Sequence, residues 1–368
     1  MSSILSLLHL SSLVVVALTA FPGSRTDVVV ERQAMACTVN NVASAADLSG
    51  CTSVVIEAFT VDSGETVTIA AASGASVIMT GDVTFSQTTA AGPLFTIDTD
   101  DVVFDGGGHN IDGNGALYWD GQGTDGGVAK PHPFVKLRGS GTFQNVTILN
   151  SPAQAISVGT TKGTAVISGI TVDDSAGNAG GLGANTDGFD VSASDVTIAN
   201  STVNNQDDCV AINSGSAITI QGLTCIGSHG ISIGSIASNK SVSDVTISGN
   251  TITGGLYGLR IKVDAIATNA SVSGITYEAN VVSDITEFGV LITQSYPQND
   301  ATPGTGGPIS GINFTGGTTS VSVDDDAFTL VVDCGACLGL WDFSALSASG
   351  GKGSIVDADN AMISGGTF

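Results

Sequence analysis

The sequence contains few charged residues, few aromatic residues and very few basic residues. Of its 368 residues, 12% are charged and 5% are aromatic, and only 10 are Lys or Arg against 34 Asp or Glu. A helical protein would carry far more Lys, Glu and Leu, so the composition argues against a helical fold. The formal net charge of −24 argues against nucleic acid as a partner, because phosphate backbones are bound by basic surfaces.

One apolar run stands at the N-terminus, from Ile4 to Ala20. Serine and histidine interrupt it, which favours a cleaved export signal over a membrane anchor. We predict a signal peptide at residues 1–20, a propeptide at 21–32 that ends after Arg32, and a single domain at 33–368. The protein is therefore expected to be secreted, to act as a monomer and to have no membrane partner.

Glycine and strand-forming residues are abundant. The chain has 49 Gly, and 42% of its residues are hydrophobic. Regular apolar alternation at that hydrophobic content argues against disorder, and Gly-rich turns between short alternating runs are typical of an all-β protein.

A short strand pattern, apolar-Thr-apolar, recurs along the chain at intervals of 24, 26, 22, 27, 30 and 37 residues. Short strands at a period of 20–30 residues, separated by Gly and Asn turns, predict a parallel β-helix. A β-sandwich is the alternative architecture. The copies begin at Val146, Ile170, Val196, Ile218, Val245, Ile275 and, in degenerate form, Ile312.

Three features around this repeat carry further expectations. Asparagines that follow several copies, at Asn150, Asn200, Asn250 and Asn280, are expected to stack as an amide ladder. Residues 297–308 contain three prolines and three glycines, which predicts a loop. The segment from Phe328 to the end is expected to cap the solenoid.

Six cysteines follow the export signal, and an even number in a secreted chain suggests disulfides. Pairing of sequence neighbours is the simplest of the 15 connectivities that six cysteines allow. The Cys-Gly-Ala-Cys motif could form half of a zinc site, but no second pair of ligands accompanies it, so a local bridge is favoured. The predicted pairs are Cys37–Cys51, Cys209–Cys225 and Cys334–Cys337. Sequons at Asn145, Asn200, Asn239, Asn269 and Asn313 fit a secreted glycoprotein.

Groups of reactive residues recur in register with the repeat. Asp187, Asp208 and His229 are separated by 21 and 21 residues, and each comes just before a short apolar strand. If each interval is one coil, these side chains stack about 4.8 Å apart at one corner. Apolar and basic residues alternate in Gly258–Lys262, so Leu259 and Ile261 are expected to face the core. Arg260 and Lys262 are therefore expected to point to solvent.

The carboxylates of Asp187, Asp207 and Asp208 with a nearby imidazole suit acid–base catalysis without a metal. Crowding makes it costly to ionise all three, which keeps one protonated. Glycoside hydrolysis needs one protonated and one ionised carboxyl group. A cationic pair on an acidic protein, at Arg260 and Lys262, suggests a substrate that carries a carboxylate, such as a uronate.

These motifs resemble those of glycoside hydrolase family 28, the pectin-degrading family of the fungal endo-polygalacturonases. The resemblance extends from about Cys37 to Gly351 and is strongest between Gly181 and Tyr296. It implies a right-handed parallel β-helix that hydrolyses the α-1,4 bonds of polygalacturonate or pectin by inversion, with no cofactor and no metal. The motifs that carry it are Asn185-Thr186-Asp187, Asn205-Gln206-Asp207-Asp208-Cys209, Gly227–Ser235 and Arg260-Ile261-Lys262.

The resemblance also implies a role for each matching residue. Asp207 would be the general acid, and Asp187 and Asp208 would deprotonate the attacking water. His229 would tune the protonation of the acid, and the Cys209–Cys225 bridge would brace its coil. Residues of the substrate cleft would be Asn185, Arg260, Lys262 and Tyr296.

Three alternatives stay open. An exo-acting enzyme would need loops that close the cleft, and the sequence shows no large insertion that would do so. A pectate lyase would share the solenoid but would need a calcium site and an arginine base. A carbohydrate-binding solenoid without activity would tolerate substitution of every carboxylate above.

Overall fold

The structure is a computed structural model that describes residues 35–159, 162–298, 302–358 and 360–368. The predicted signal peptide and propeptide lie outside the described residues. The described chain forms strands that pair in parallel with the equivalent strand of the next coil. This is the parallel β-helix that the sequence predicts, with three sheets along its length. Among the described residues, no helix is long and apolar enough to cross a membrane.

The first sheet begins at the N-terminal coil and includes the second half of β19, which bends from one sheet into the next. Its strands are β1 (Ala36–Val39), β2 (Ser53–Ile56), β5 (Ser76–Met79), β8 (Val102–Asp105), β11 (Gly141–Gln144), β14 (Ala165–Ser168), β17 (Val196–Ala199), β19 (Val210–Gln221), β22 (Ser241–Ser248), β25 (Ser271–Glu278), β28 (Ile309–Phe314), β31 (Cys337–Asp342) and β34 (Asn360–Ser364).

The second sheet follows the first within each coil. Its strands are β3 (Phe59–Val61), β6 (Val83–Phe85), β9 (Asn110–Asp112), β12 (Thr147–Leu149), β15 (Thr171–Asp173), β18 (Thr202–Asn204), β20 (Thr224–Ile226), β23 (Thr251–Thr253), β26 (Val281–Ile285), β29 (Thr319–Val323) and β32 (Leu346–Gly350).

The third sheet completes each coil and includes the first half of β19. Its other strands are β4 (Val67–Ile69), β7 (Phe95–Ile97), β10 (Val135–Leu137), β13 (Ile156–Val158), β16 (Phe189–Ser192), β21 (Ile231–Ile236), β24 (Tyr257–Asp264), β27 (Phe288–Tyr296), β30 (Phe328–Asp333) and β33 (Ser354–Asp357). Three short 3₁₀ segments, Ala43–Ala45, Gly115–Leu117 and Ser175–Gly181, lie in the described turns.

Alternation along each strand builds one continuous apolar core. Val210 and Ile212 of β19 are fully buried, as are Ile231 and Ile233 in register on the next coil. Full burial of such a side chain contributes about 1.5–3 kcal/mol. Because inward positions are fixed by this burial, the intervening residues must face outward.

The predicted repeat mixes two sheets. Its first two copies fall in β12 and β15 of the second sheet, whereas the copies from Val196 onward fall in the first sheet. All three sheets share the same apolar alternation, so a three-residue pattern cannot assign a strand to its sheet.

The predicted loop is confirmed where the structure describes it, since 297–298 and 302–308 contain no strand between β27 and β28. The predicted Cys37–Cys51 bridge lies at the first coil, with a Cα–Cα distance of 6.0 Å. The segment after Phe328 was expected to be a cap. It instead continues the solenoid, since β30 pairs with β27 and with β33.

The amide ladder is confined to two of the four asparagines. Asn250 Nδ2 donates to Asn280 Oδ1 at 2.9 Å, and Asn250 Oδ1 accepts from the Leu223 N–H at 2.9 Å. Asn150 and Asn200 lie instead at turn positions with φ values of 50° and 49°, where asparagine is tolerated. The ladder prediction is wrong for those two residues.

We predict that Asn250→Ala lowers the free energy of unfolding by about 2–4 kcal/mol, because it strands the buried Leu223 N–H and Ile220 carbonyl without partners. Denaturant unfolding measures this change. Thr251→Ala, at an exposed neighbour in β23, is the control and should change stability by less than about 0.5 kcal/mol. Equal effects of the two substitutions would contradict the ladder's role.

Candidate active site

The polar groups predicted from the sequence meet at one corner of the solenoid. Asp187, Asp207–Asp208 and His229 lie in the turns that lead from the second sheet into β16, β19 and β21. These three strands are consecutive and in register. Carboxylate oxygens of Asp207 and Asp208 and a ring nitrogen of His229 lie within 4.8 Å of one another.

Asp207 is held by three donors. His229 Nδ1 lies 3.1 Å from Asp207 Oδ1, which also accepts from the Asp208 N–H at 2.8 Å, and Asn185 Nδ2 donates to Oδ2 at 3.2 Å. Burial favours the neutral acid, but the hydrogen bond and charge of His229, with the charge of Lys262, hold the pKa of Asp207 below its ordinary value. In the free protein this carboxyl is therefore ionised.

Asp208 is a buried carboxylate with two cationic partners. Arg260 Nη2 lies 2.5 Å from its Oδ1 and Lys262 Nζ lies 2.7 Å from its Oδ2. Ser232 Oγ donates to Oδ1 at 2.8 Å and accepts from Arg260 Nε at 3.0 Å. The side chain of Asp208 is 1% exposed, and an ionised group at such depth needs paired charge.

The predicted exposure of Arg260 and Lys262 is wrong. Both point away from the core as the alternation requires, but they are 5% and 6% exposed. Their charged ends turn toward Asp208 because a buried carboxylate attracts them more strongly than water does. They therefore line the cleft from within.

Asp187 differs from Asp207 and Asp208, since no ion pair joins it to a cation among the residues that the structure describes. Within the same residues, its Oδ1 has no hydrogen-bond partner. Burial raises the pKa of Asp187 well above its ordinary value, and the charges of Asp207 and Asp190 add to this effect. Ionisation of Asp187 is therefore disfavoured in the free protein.

The sequence reasoning missed Asp190, a fourth carboxyl group beside this cluster. It is half-buried between the inward-facing Phe189 and Val191 of β16. Burial and then the charge of Asp208 raise the pKa of Asp190 to about 7. The alternation of β16 was a sufficient signal, because an outward Asp three residues after Asp187 must face the same cleft.

Ser232 was also missed, and the same alternation could have found it. Ser232 lies between Ile231 and Ile233 and is in register with Arg260 of the next coil. A hydroxyl at this position can therefore join the Arg260 guanidinium to the Asp208 carboxylate.

The predicted cleft residues border the carboxylates. Asn185 Oδ1 accepts from the Thr124 N–H at 3.0 Å, so Asn185 joins the loop of residues 120–132 to Asp207. Tyr296 is half-buried, with Lys262 Nζ 5.2 Å from its ring centroid.

Tyr257, which the sequence reasoning missed, holds the cationic side of the site. Arg260 Cζ lies 4.3 Å from the centroid of its ring, and the His229 ring meets it edge-on with centroids 5.7 Å apart. Tyr257 begins β24 three residues before Arg260, but its ring contact with Arg260 could not be deduced from that spacing.

Asp207, Asp208 and His229 are the residues in this part of the structure that could hold a metal ion. Both oxygens of Asp208 are already engaged by Arg260 and Lys262. Two cations at that distance would repel a third, so the donor set does not favour a metal.

The disulfides have the predicted pairing. Cys209, directly after Asp208, is bonded to Cys225 of β20 with Cα atoms 5.8 Å apart, and Cys334 is bonded to Cys337. The first of these bridges ties the turn that carries the carboxylates to the second sheet of the next coil.

Comparisons with known proteins agree with this fold. The family model for glycosyl hydrolases family 28 matches residues 51–363. An endo-polygalacturonase of Sclerotinia sclerotiorum is 41% identical over 374 residues, covering 96% of each chain. Endopolygalacturonase I of Aspergillus niger is 38% identical over 334 residues, covering 88% of this chain and 89% of its own.

A solved structure is also similar. Endopolygalacturonase I from Stereum purpureum, complexed with two galacturonates, is 54% identical, with a TM-score of 0.90 over 90% of this chain and 100% of its own. A polygalacturonase from Erwinia carotovora has a TM-score of 0.62 at 20% identity and shares the fold. The chain belongs to glycosyl hydrolases family 28.

We predict that stability falls as pH rises from near 4 to near 7, and that Asp190→Asn makes this fall smaller. The folded pKa of Asp190, about 7, lies above the ordinary 3.8. Its contribution is therefore fully present below pH 3.8 and lost as pH rises through 7. Thermal unfolding across this range tests it, with Asp195→Asn, at an exposed turn residue, as control. An unchanged slope in Asp190→Asn would contradict the prediction.

Proposed function

We propose that the protein is an endo-polygalacturonase that hydrolyses internal α-1,4 bonds of polygalacturonate by inversion. One observation carries this proposal: a buried cationic pair, Arg260 and Lys262, stands directly beside two adjacent carboxylates. Acid–base hydrolysis of a glycoside needs the carboxylates, and a uronate needs the cations. Family membership and the names of the relatives support the same activity.

The substrate carboxylate takes the place of Asp208 on the cations. In the free protein, Arg260 and Lys262 donate hydrogen bonds to the Asp208 carboxylate. A uronate carboxylate at the cleavage point competes for these N–H donors. Asp208, released from these donors, becomes a stronger base for the attacking water. Binding of the correct substrate therefore prepares the base.

Asp207 donates the proton to the glycosidic oxygen. In the free protein its pKa is low, partly through the charge of Lys262. When the negatively charged substrate carboxylate pairs with Lys262, the positive charge near Asp207 is partly neutralised, and the pKa of Asp207 rises. Asp187, whose raised pKa favours its protonated form, passes its proton to Asp207 and, once ionised, assists Asp208 in taking the proton of the attacking water. The reaction needs no cofactor and no metal.

Three further residues shape the reaction. His229, beside Asp207 Oδ1, sets the protonation of the acid. Asn185 and Tyr296 border the cleft and contact the sugar. We also propose that the protein is secreted as a monomer after removal of residues 1–20 and 21–32, and that it carries glycans on exposed sequons such as Asn145 and Asn239.

Incubation with polygalacturonate, with reducing ends and the ultraviolet absorbance of unsaturated uronates followed together, tests the reaction. We expect reducing ends without absorbance, unaffected by a chelator, and a fast loss of viscosity because cuts are internal. Rising absorbance would mean a lyase, and slow viscosity loss an exo enzyme. No signal from folded protein would favour a binding solenoid.

We predict that Asp207→Asn lowers kcat by at least about 10²–10⁴-fold, the usual contribution of a general acid, while the thermal midpoint changes little. Asp195→Asn makes the same chemical change at an exposed turn and should leave kcat unaltered. Full activity of Asp207→Asn would reject the assignment.

His229→Gln is predicted to shift the pH profile of the residual activity. His229 lowers the pKa of Asp207, so its loss raises that pKa and keeps the acid protonated to higher pH. The alkaline limb of kcat against pH should therefore move upward. A profile that only loses height, without a shift of this limb, would contradict the role given to His229.

A further inference from the structure

A second pair of cations lies on the same sheet as Arg260 and Lys262. Lys136 of β10 is half-buried and stands between the inward-facing Val135 and Leu137. Arg138 follows Leu137, and its N–H continues the parallel ladder by donating to the Ile97 carbonyl at 2.9 Å. Both cations therefore occupy outward positions two residues apart.

The two pairs share one row of the third sheet. Lys136-Leu137-Arg138 repeats the basic-apolar-basic order of Arg260-Ile261-Lys262. Strand register connects Lys136 to Arg260 through one outward residue per coil. Five coils separate them, about 24 Å at about 4.8 Å per coil. The row runs Lys136, Ser157, Asp190, Ala211, Ser232 and Arg260.

This concentration of positive charge is unusual in so acidic a chain. Half of the basic residues in the described ranges belong to the two pairs. The eight are Lys130, Lys136, Arg138, Lys162, Lys240, Arg260, Lys262 and Lys352.

The second pair differs from the first in having no buried acidic partner. Among the described residues, Lys136 has no carboxylate within 4.0 Å, and Arg138 Nη1 lies 3.8 Å from Asp98 Oδ2 with both side chains about half exposed. An exposed pair of that kind contributes little. The N–H donors of Lys136 and Arg138 are therefore available to a ligand.

Space around the second pair is open. Gly159 follows β13 on the neighbouring coil, and a Cβ atom there would meet nothing within 4 Å. A cavity of about 370 Å³ lies between residues 89–91 and the loop that ends at His132, three residues before β10 in the chain. This is the loop that Asn185 joins to Asp207.

We propose that Lys136 and Arg138 form a distal subsite that binds carboxylates of a uronate chain lying along the third sheet. β10 is three coils before β19, so the subsite is about 14 Å from the coil that carries Asp207 and Asp208. A chain of several sugar residues reaches both sites, and a short oligomer bound at Arg260 does not. The identity of the polymer rests on the proposed function.

The test measures binding in an Asp207→Asn background, so that turnover does not interfere. Dissociation constants of trigalacturonate and octagalacturonate are determined by calorimetry with and without Lys136→Gln/Arg138→Gln. The affinity gain is the ratio of the trigalacturonate to the octagalacturonate dissociation constant. We expect the double substitution to lower this ratio by about tenfold, because hydrogen bonds to charged groups are lost.

Lys240→Gln/Lys352→Gln is the matched control, because both lysines are exposed outside the three sheets and their removal changes the net charge by the same two units. An unchanged affinity gain in the double variant would overturn the inference, as would an equal fall in the control. Release of reducing ends by the unsubstituted protein tests the proposed function separately. If the unsubstituted protein released no reducing ends but the double variant still lost the affinity gain, the distal subsite would be supported and the proposed hydrolase activity would be rejected.

Discussion

Parallel pairing of equivalent strands is the constraint on which the rest of the structure depends. Each coil contributes one residue to each outward row, and burial of the inward residues fixes which one. Side chains that are 20 to 30 residues apart in the chain thereby become neighbours. Asp187, Asp208 and His229 need no long-range loop to meet, since the turns into β16, β19 and β21 stack them. The core thus determines the geometry of the site.

The carboxyl groups of the site differ in their electrostatic surroundings. Asp208 is ionised between two cations, Asp207 is ionised beside an imidazole, and burial beside other carboxylates favours the neutral form of Asp187. Four carboxyl groups, counting Asp190, can coexist because no two have the same surroundings. Removing a cation would leave a buried charge without compensation, which is costly. Placing Arg260 and Lys262 against Asp208 also keeps them oriented before a substrate arrives.

Much of this arrangement could be predicted from the sequence. The solenoid and the residues that meet at the site follow from apolar alternation and from motif spacing, and the disulfide pairs follow from the pairing of sequence neighbours. Sheet assignment could not be predicted, because strands of all three sheets have the same pattern. The burial of Arg260 and Lys262 was missed, since alternation separates core from outside but does not show that a neighbouring carboxylate covers the outside. Ser232 and Asp190 were overlooked although alternation places both at the cleft.

The unequal lengths of the coils have an evolutionary consequence. The register Val196, Ile218, Val245, Ile275 and Ile312 in the first sheet gives coils of 22, 27, 30 and 37 residues. The differences are absorbed in turns, such as the one between β27 and β28, while the paired strands keep their register. Insertions and deletions can therefore accumulate at the rims of the solenoid and alter what the groove admits. One residue gained inside β19 or β21 would instead exchange core and groove positions together. The fold thus separates the positions where new specificity can arise from those where chemistry must persist.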